Sequence, residues 1–195
     1  FDKRSGVVPW KSQPQTSSVM EGLETYHRRT APVLRPHMED LAHTQKPETL
    51  FITCVDSRVV PNVITSSGPG DLLTVRNVGN LIPEGRADAS VEAAIAFAVD
   101  VLQVSSIVVC GHSSCGAMTA MLSGEHGHDE HLHTWLEHGD VTLRAFDEGR
   151  HPVALAAAEE GFGIVDQLSI VNVALQVQTL AAHPLVRARH RAGDL

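Results

Sequence analysis

Two short stretches carry side chains able to hold a metal ion. One is Cys54-Val55-Asp56-Ser57-Arg58; the other is Gly111-His112-Ser113-Ser114-Cys115-Gly116. The second sets an imidazole and a thiol three positions apart, a spacing that at a strand-to-helix turn presents both to one ion. A third ligand, the Cys54 thiolate, comes from a separate strand end, and the set becomes two cysteines and one histidine. Three protein ligands with a fourth position open is the pattern of a catalytic zinc site; a structural site normally closes with four. The H-x-x-C spacing alone says little, because a buried cysteine beside a solvated histidine is common. The C-x-D-S-R stretch on another strand end is what turns the spacing into a site.

For these residues to meet, the surrounding elements must deliver them to one place. Residues 50–55 (Leu-Phe-Ile-Thr-Cys-Val) form a short apolar run of strand type. Gly68-Pro69-Gly70-Asp71 is a turn, and 72–76 is a second strand. Residues 77–85 read as loop. Residues 90–101 read as a helix, apolar almost all round and so expected to be buried on more than one side. Residues 106–110 make a third strand whose unbroken apolar character suits a parallel strand covered on both faces. Gly111 ends it. A helix is expected from near Ser114 to Leu122, then a His-rich loop over 123–133 and helical stretches near 134–147 and 152–181.

Strands alternating with helices predict an α/β fold with a mostly parallel central β-sheet flanked by helices. Ligands in such sheets collect at the carboxyl ends of strands, where Cys54 and His112 both fall. Residues 1–18 are polar and turn-rich and read as a flexible arm or linker. Ser18 with Glu21 resembles a capping box and opens an N-terminal helical arm punctuated by Pro32, Pro36 and Pro47. The domain proper is then 19–195.

A chain of 195 residues suits one domain with a proper core. Its net charge of −8 excludes general nucleic-acid binding, which needs a basic surface. No apolar run reaches the roughly 18–20 residues that span a bilayer; the longest near-apolar stretch, 91–102, contains Glu92 and Asp100. No membrane span is therefore expected. Three cysteines, Cys54, Cys110 and Cys115, are not a secreted disulfide framework. They fit a reducing compartment, and so a cytoplasmic chain or the cytoplasmic domain of a larger protein. The chain opens Phe1-Asp2-Lys3 with neither an initiator Met nor a signal-peptide pattern, which reads as a processed chain or an excised domain.

Cys110, ending a buried strand, reads as a small core residue. The cluster His126, His128, His131, His133 and His138 reads as a solvated segment able to bind metal adventitiously. Ser113 and Ser114 have no evident acidic partner for triad chemistry.

Taken together the motifs resemble the β-class carbonic anhydrases, which carry C-x-D-S-R, then P-G-(D/E), R-N and G-H-x-x-C-G. All occur here in that order, the middle two as Pro69-Gly70-Asp71 and Arg76-Asn77, and the resemblance covers roughly residues 40–187. It implies that Cys54, His112 and Cys115 bind Zn2+ and that Asp56 and Arg58 are a catalytic pair. The implied reaction is reversible hydration of carbon dioxide to bicarbonate and a proton by a zinc-bound hydroxide. Two thiolates cancel the metal's charge, so activity is expected to rise toward alkaline pH. Asp56 would orient the nucleophile in an open site or bind zinc itself in a closed one; Arg58 would hold it off the metal.

By position, Gln45 resembles the family glutamine that hydrogen-bonds substrate oxygen across a dimer interface. Gly116 would offer its backbone N–H at a helix start. Leu73 and Phe97 stand where many members have Phe and Tyr, and would line an apolar substrate pocket. Family members are dimers or higher, so a homodimer or larger homo-oligomer is expected, with the N-terminal arm on a partner. Members also add a strand beyond the position of residues 184–186; its pattern is missing here, which predicts a sheet of four strands. The same zinc site would equally suit a carbonyl sulfide or carbon disulfide hydrolase. The linker-like start also fits a bicarbonate-sensing or regulatory domain of a larger protein, such as an anion transporter.

Overall fold

β1, Thr49–Cys54, is the central strand of a three-stranded parallel sheet of order β2-β1-β3, with β2 at Leu72–Asn77 and β3 at Ser106–Cys110. The computed structural model describes residues 18–84, 88–125, 130–149 and 151–195. The central position accounts for the composition of β1. Leu50, Phe51, Ile52, Thr53 and Cys54 are all buried, so the strand has no solvent face and no polar alternation. Its two threonines are satisfied internally: Thr53 Oγ1 donates to the Cys110 carbonyl at 2.9 Å, and Thr49 Oγ1 lies 2.8 Å from Ser106 Oγ. Leu50 and Ile52 have no exposed surface, and each contributes roughly 1.5–3 kcal/mol by burial. They anchor a core with Ile82, Val91, Ile95, Val99 and Leu180. A second core lies under the carboxyl ends of the strands, where Cys54 and Cys115 pack with Leu81, Met118, Leu136 and Leu168.

The expected fourth strand is not present among the described residues. After β3 the elements are α5 (Gly116–Ser123), α6 (Glu130–Leu136), α7 (Asp140–Asp147), α8 (Pro152–Glu159), α9 (Ile164–Ala182) and α10 (Pro184–Ala192). The last segment is helical because Pro184 starts it, basic residues fill its final turn, and Gly193 ends it at φ +78°. Before β3, the short helix α3 (Pro61–Ile64) follows β1, and α4 (Ala89–Ala96) begins where Asp88 accepts from the Val91 N–H at 2.7 Å. A π turn, Phe97–Val101, continues α4.

Two expected helical stretches are broken. That over 152–181 divides into α8 and α9 around Gly161, at φ +85°. That over 134–147 begins earlier, at Glu130, and passes through a 3-10 turn, Glu137–Gly139. α9 is the packing hub, against β3, α5, α7, α8 and α10. By length and composition alone α9 would pass for a membrane-crossing helix. In the fold it buries Leu168 and Val171 together with polar Ser169, Asn172 and Gln176.

The described residues up to Thr44 form a unit separate from Gln45–Leu195. The described part holds α1 (Ser18–Thr25), a π turn (Tyr26–Thr30) and α2 (Ala31–Leu41), the expected helical arm. Pro32 falls where the π turn runs directly into α2, and Pro36 lies inside α2. Of the linker reading over residues 1–18, residues 1–17 lie outside the described residues and Ser18 is the first residue of α1.

Candidate metal centre

Strand register delivers the ligands. β1 and β3 are parallel with Thr53 opposite Cys110, and β1 meets β2 with Cys54 opposite Asn77. Cys54 therefore ends its strand beside the turn that carries His112, and Cys115 follows as the N-cap of α5. One ligand atom from each of Cys54, His112 and Cys115 lies within 4.8 Å of the others. Among the described residues this is the group of metal-binding side chains that converges.

The donor set fits zinc. His112 Nδ1 lies 2.9 Å from the Ser113 carbonyl, an acceptor, so Nδ1 carries the proton and Nε2 keeps its lone pair. Nε2 is buried with no hydrogen-bond partner, a cost that a bound cation removes. The neighbouring Cys115 thiol holds the Cys54 thiol well below its usual value, while burial opposes this. The Asp56 and Gly79 backbones add support, the Gly79 N–H lying 3.4 Å from Sγ. Cys115 is correspondingly held up by Cys54 and by burial. A site that already prefers one thiolate is prepared for a divalent cation.

Beside the ligands, Arg58 engages Asp56 at three points. Its backbone N–H and its Nε each donate to Oδ1 at 2.9 Å, and Nη2 donates to Oδ2 at 2.7 Å. The guanidinium hydrogen bonds hold the Asp56 carboxyl far below the usual carboxylate range, and Asp56 in turn raises Arg58. Asp56 Oδ2 is 3.9 Å from His112 Nε2, at the edge of the ligand cluster. Arg58 Nη2 also donates to the Ser114 carbonyl at 3.0 Å, tying one motif to the other.

Three positioning groups escape the sequence reading. Arg76 donates from Nε to the Cys54 carbonyl at 3.2 Å and from Nη2 to the Asp56 carbonyl at 2.7 Å. The R-N pair that contains it was the available signal. Gly79 and Asp166 carry none. Asp166 Oδ1 accepts the Ser114 N–H at 2.7 Å from 52 residues away, so Ser114 does have an acidic partner, but through its backbone rather than its hydroxyl.

The expected substrate residues scatter. Gly116 opens α5, and open space lies where a Cβ would stand. Gln45 is exposed before the amino end of β1, whereas Cys54 is at the carboxyl end. Leu73, in the amino half of β2, packs against the core around Leu50 and Ile52. Phe97 is 39% exposed at the start of the π turn. Within one chain, then, the structure assembles Cys54, Asp56, Arg58, His112 and Cys115, and leaves Gln45 and Leu73 toward the other end of the sheet. Of the histidine cluster, His126 and His128 lie outside the described residues. His133 pairs with Glu137 at 3.6 Å, and the His138 ring meets Trp135 edge-on. Cys110 is half-buried, its thiol donating to the Gly111 carbonyl at 3.3 Å.

Comparison with known proteins agrees with this geometry. The carbonic anhydrase family model matches residues 49–195. A carbonic anhydrase of Synechococcus elongatus is 37% identical over 180 residues, which cover 91% of this chain and 64% of that protein. The chain thus spans under two thirds of that relative's length. The solved β-carbonic anhydrase CcaA superposes with a TM-score of 0.79 at 34% identity, over 92% of this chain and 85% of its own. One of two tetrameric β-carbonic anhydrases from Sordaria macrospora gives a TM-score of 0.74 at 29% identity, over 89% and 85%. The family match starts at the first residue of β1 and takes in both ligand-bearing stretches, and the chain therefore belongs to the β-class carbonic anhydrase family.

Proposed function

We propose that this chain is a zinc-dependent carbonic anhydrase, a lyase that reversibly hydrates carbon dioxide to bicarbonate and a proton. The supporting observation is the convergence of Cys54, His112 and Cys115 within 4.8 Å, with the Asp56 carboxylate held by Arg58 at the edge of that cluster. Zinc held there would activate water as a nucleophile near neutral pH. Asp56, kept ionised by Arg58, accepts a hydrogen bond and orients the group that donates it. Both its oxygens are engaged by Arg58, which favours an open site over one closed by Asp56. The Gly116 N–H at the start of α5 is suited to a substrate oxygen.

The working form in this reading is a homodimer or larger homo-oligomer. Gln45 and Phe97 would act in a neighbouring subunit's site, which suits their exposed positions. Val101, 66% exposed on the same helical segment as Phe97, adds an apolar face for a second copy. Tetrameric assembly of the Sordaria macrospora relative supports the same view. Three free thiols support a reducing, cytoplasmic location.

Stopped-flow hydration assays on zinc-loaded wild type and Asp56→Ala between pH 7 and 9 test the proposal. Active wild type with a loss of about a hundredfold or more in the variant supports it. An inactive wild type with zinc bound throughout that range overturns it.

A further inference from the structure

We infer that Asp166 is a positioning residue of the metal centre, fixing the loop that carries His112 and Cys115 by a hydrogen bond from its carboxylate to the Ser114 backbone. The inference rests on the reading that these residues hold zinc. Ser114 sits between the two ligands of this loop with φ +51°, a left-handed conformation that a non-glycine residue keeps only when its surroundings impose it. Two charged groups impose it from opposite sides. Asp166 accepts the Ser114 N–H at 2.7 Å, and Arg58 Nη2 donates to the Ser114 carbonyl at 3.0 Å. Each is a hydrogen bond to an ionic group and is stronger than its neutral counterpart.

Asp166 is well placed to serve as the fixed end. It lies in the first turn of α9, where the helix dipole favours a carboxylate. α9 itself is held by contacts with β3, α5, α7, α8 and α10. Packing holds the Cys115 end of the loop in the second core but leaves the His112–Ser113 side open. A cavity of about 350 Å³ opens beside it, lined by Gly111, His112, Ser113, Phe162, Asp166 and Val173. With the carboxylate gone the loop has room to relax into that space, and His112 would move with it relative to the packed Cys115. Cys54, on the central strand, would stay. The ligand set would lose its geometry without losing a ligand.

Zinc release into excess chelator, followed on folded holoprotein, tests this with a readout independent of turnover. The visible spectrum of the cobalt-substituted protein adds a measure of ligand geometry. Asp166→Ala is expected to release zinc at least about tenfold faster than wild type and to shift the cobalt bands. Asp166→Asn keeps an acceptor oxygen and is expected to stay within about threefold of wild type, as the same dependence on the acceptor requires. Wild-type release from Asp166→Ala overturns the inference, as does Asp166→Asn releasing as fast as Asp166→Ala. Should Asp166→Ala fail to fold, amide exchange in the wild type decides. Protection of the Ser114 N–H comparable to that within α9 supports the inference, and exchange at the rate of an open loop overturns it. A wild type that binds no zinc would refute the metal-centre reading itself, a result distinct from zinc binding that ignores Asp166.

Discussion

Arg58 closes on Asp56 like a fork, Nε on one carboxylate oxygen at 2.9 Å and Nη2 on the other at 2.7 Å. Lysine cannot reproduce a planar two-point contact. Arg58→Lys is therefore expected to behave like Arg58→Ala, each lowering kcat/KM for hydration by about ten- to a hundredfold while zinc stays bound. Stopped-flow rates with parallel zinc determination check this. A lysine variant at wild-type rate would show that charge alone suffices.

The same contact sets a pH dependence. Arg58 depresses the folded-state pKa of Asp56 below its unfolded value, near 3.9. A depressed carboxyl contributes stability that is fully present above the unfolded pKa and is lost as pH falls through the folded one. In metal-stripped protein, Asp56→Asn is therefore expected to unfold more easily than wild type at pH 6, and the difference is expected to shrink steadily below about pH 4. Denaturant midpoints across pH 2–6 measure it. A gap that stays constant through the acid range would contradict it.

Asn172 sits at the centre of a buried polar network. Its Nδ2 donates to the Gly79 carbonyl at 2.9 Å, and its Oδ1 accepts from Gln176 Nε2 at 3.1 Å and Thr142 Oγ1 at 3.2 Å. Gly79 in turn supplies the N–H that faces the Cys54 sulfur. Asn172→Ala strands these groups in a dry environment and is expected to destabilise by about 1–3 kcal/mol. Because Gly79 loses its anchor, zinc release should also quicken. Urea unfolding with chelator competition tests both, and a variant that loses stability but not zinc retention would confine Asn172 to the core.

Leu50→Ala removes a fully buried side chain from the central strand. It is expected to cost about 2–5 kcal/mol, with zinc affinity of the folded fraction unchanged, because Leu50 is four residues from Cys54 and belongs to the other core cluster. Equilibrium unfolding read beside zinc content checks it.

The three strands and the candidate ligand set were legible locally. A short apolar run without alternation, rich in Leu, Phe and Ile, fits a strand covered on both faces, and C-x-D-S-R with H-x-x-C fits metal chemistry. The helix breaks were less legible. A single glycine such as Gly161 ends a helix only when the chain must turn there, and that need is set by what α8 and α9 pack against. Leu73 is placed by its neighbours in space, the core around Leu50 and Ile52, which no local pattern reports.

By itself, then, the sequence determined which residues could bind zinc and which fold class would carry them, because both follow from side-chain chemistry and from patterns a few residues long. Only the tertiary structure decided how they are held. Parallel register sets Thr53 opposite Cys110 and so brings Cys54 beside the His112 turn, and α9 brings Asp166 and Asn172 to the two ligand-bearing segments from far along the chain. Contacts at such separations leave no local trace, because each partner is chosen by the packing of whole elements rather than by its neighbours in sequence.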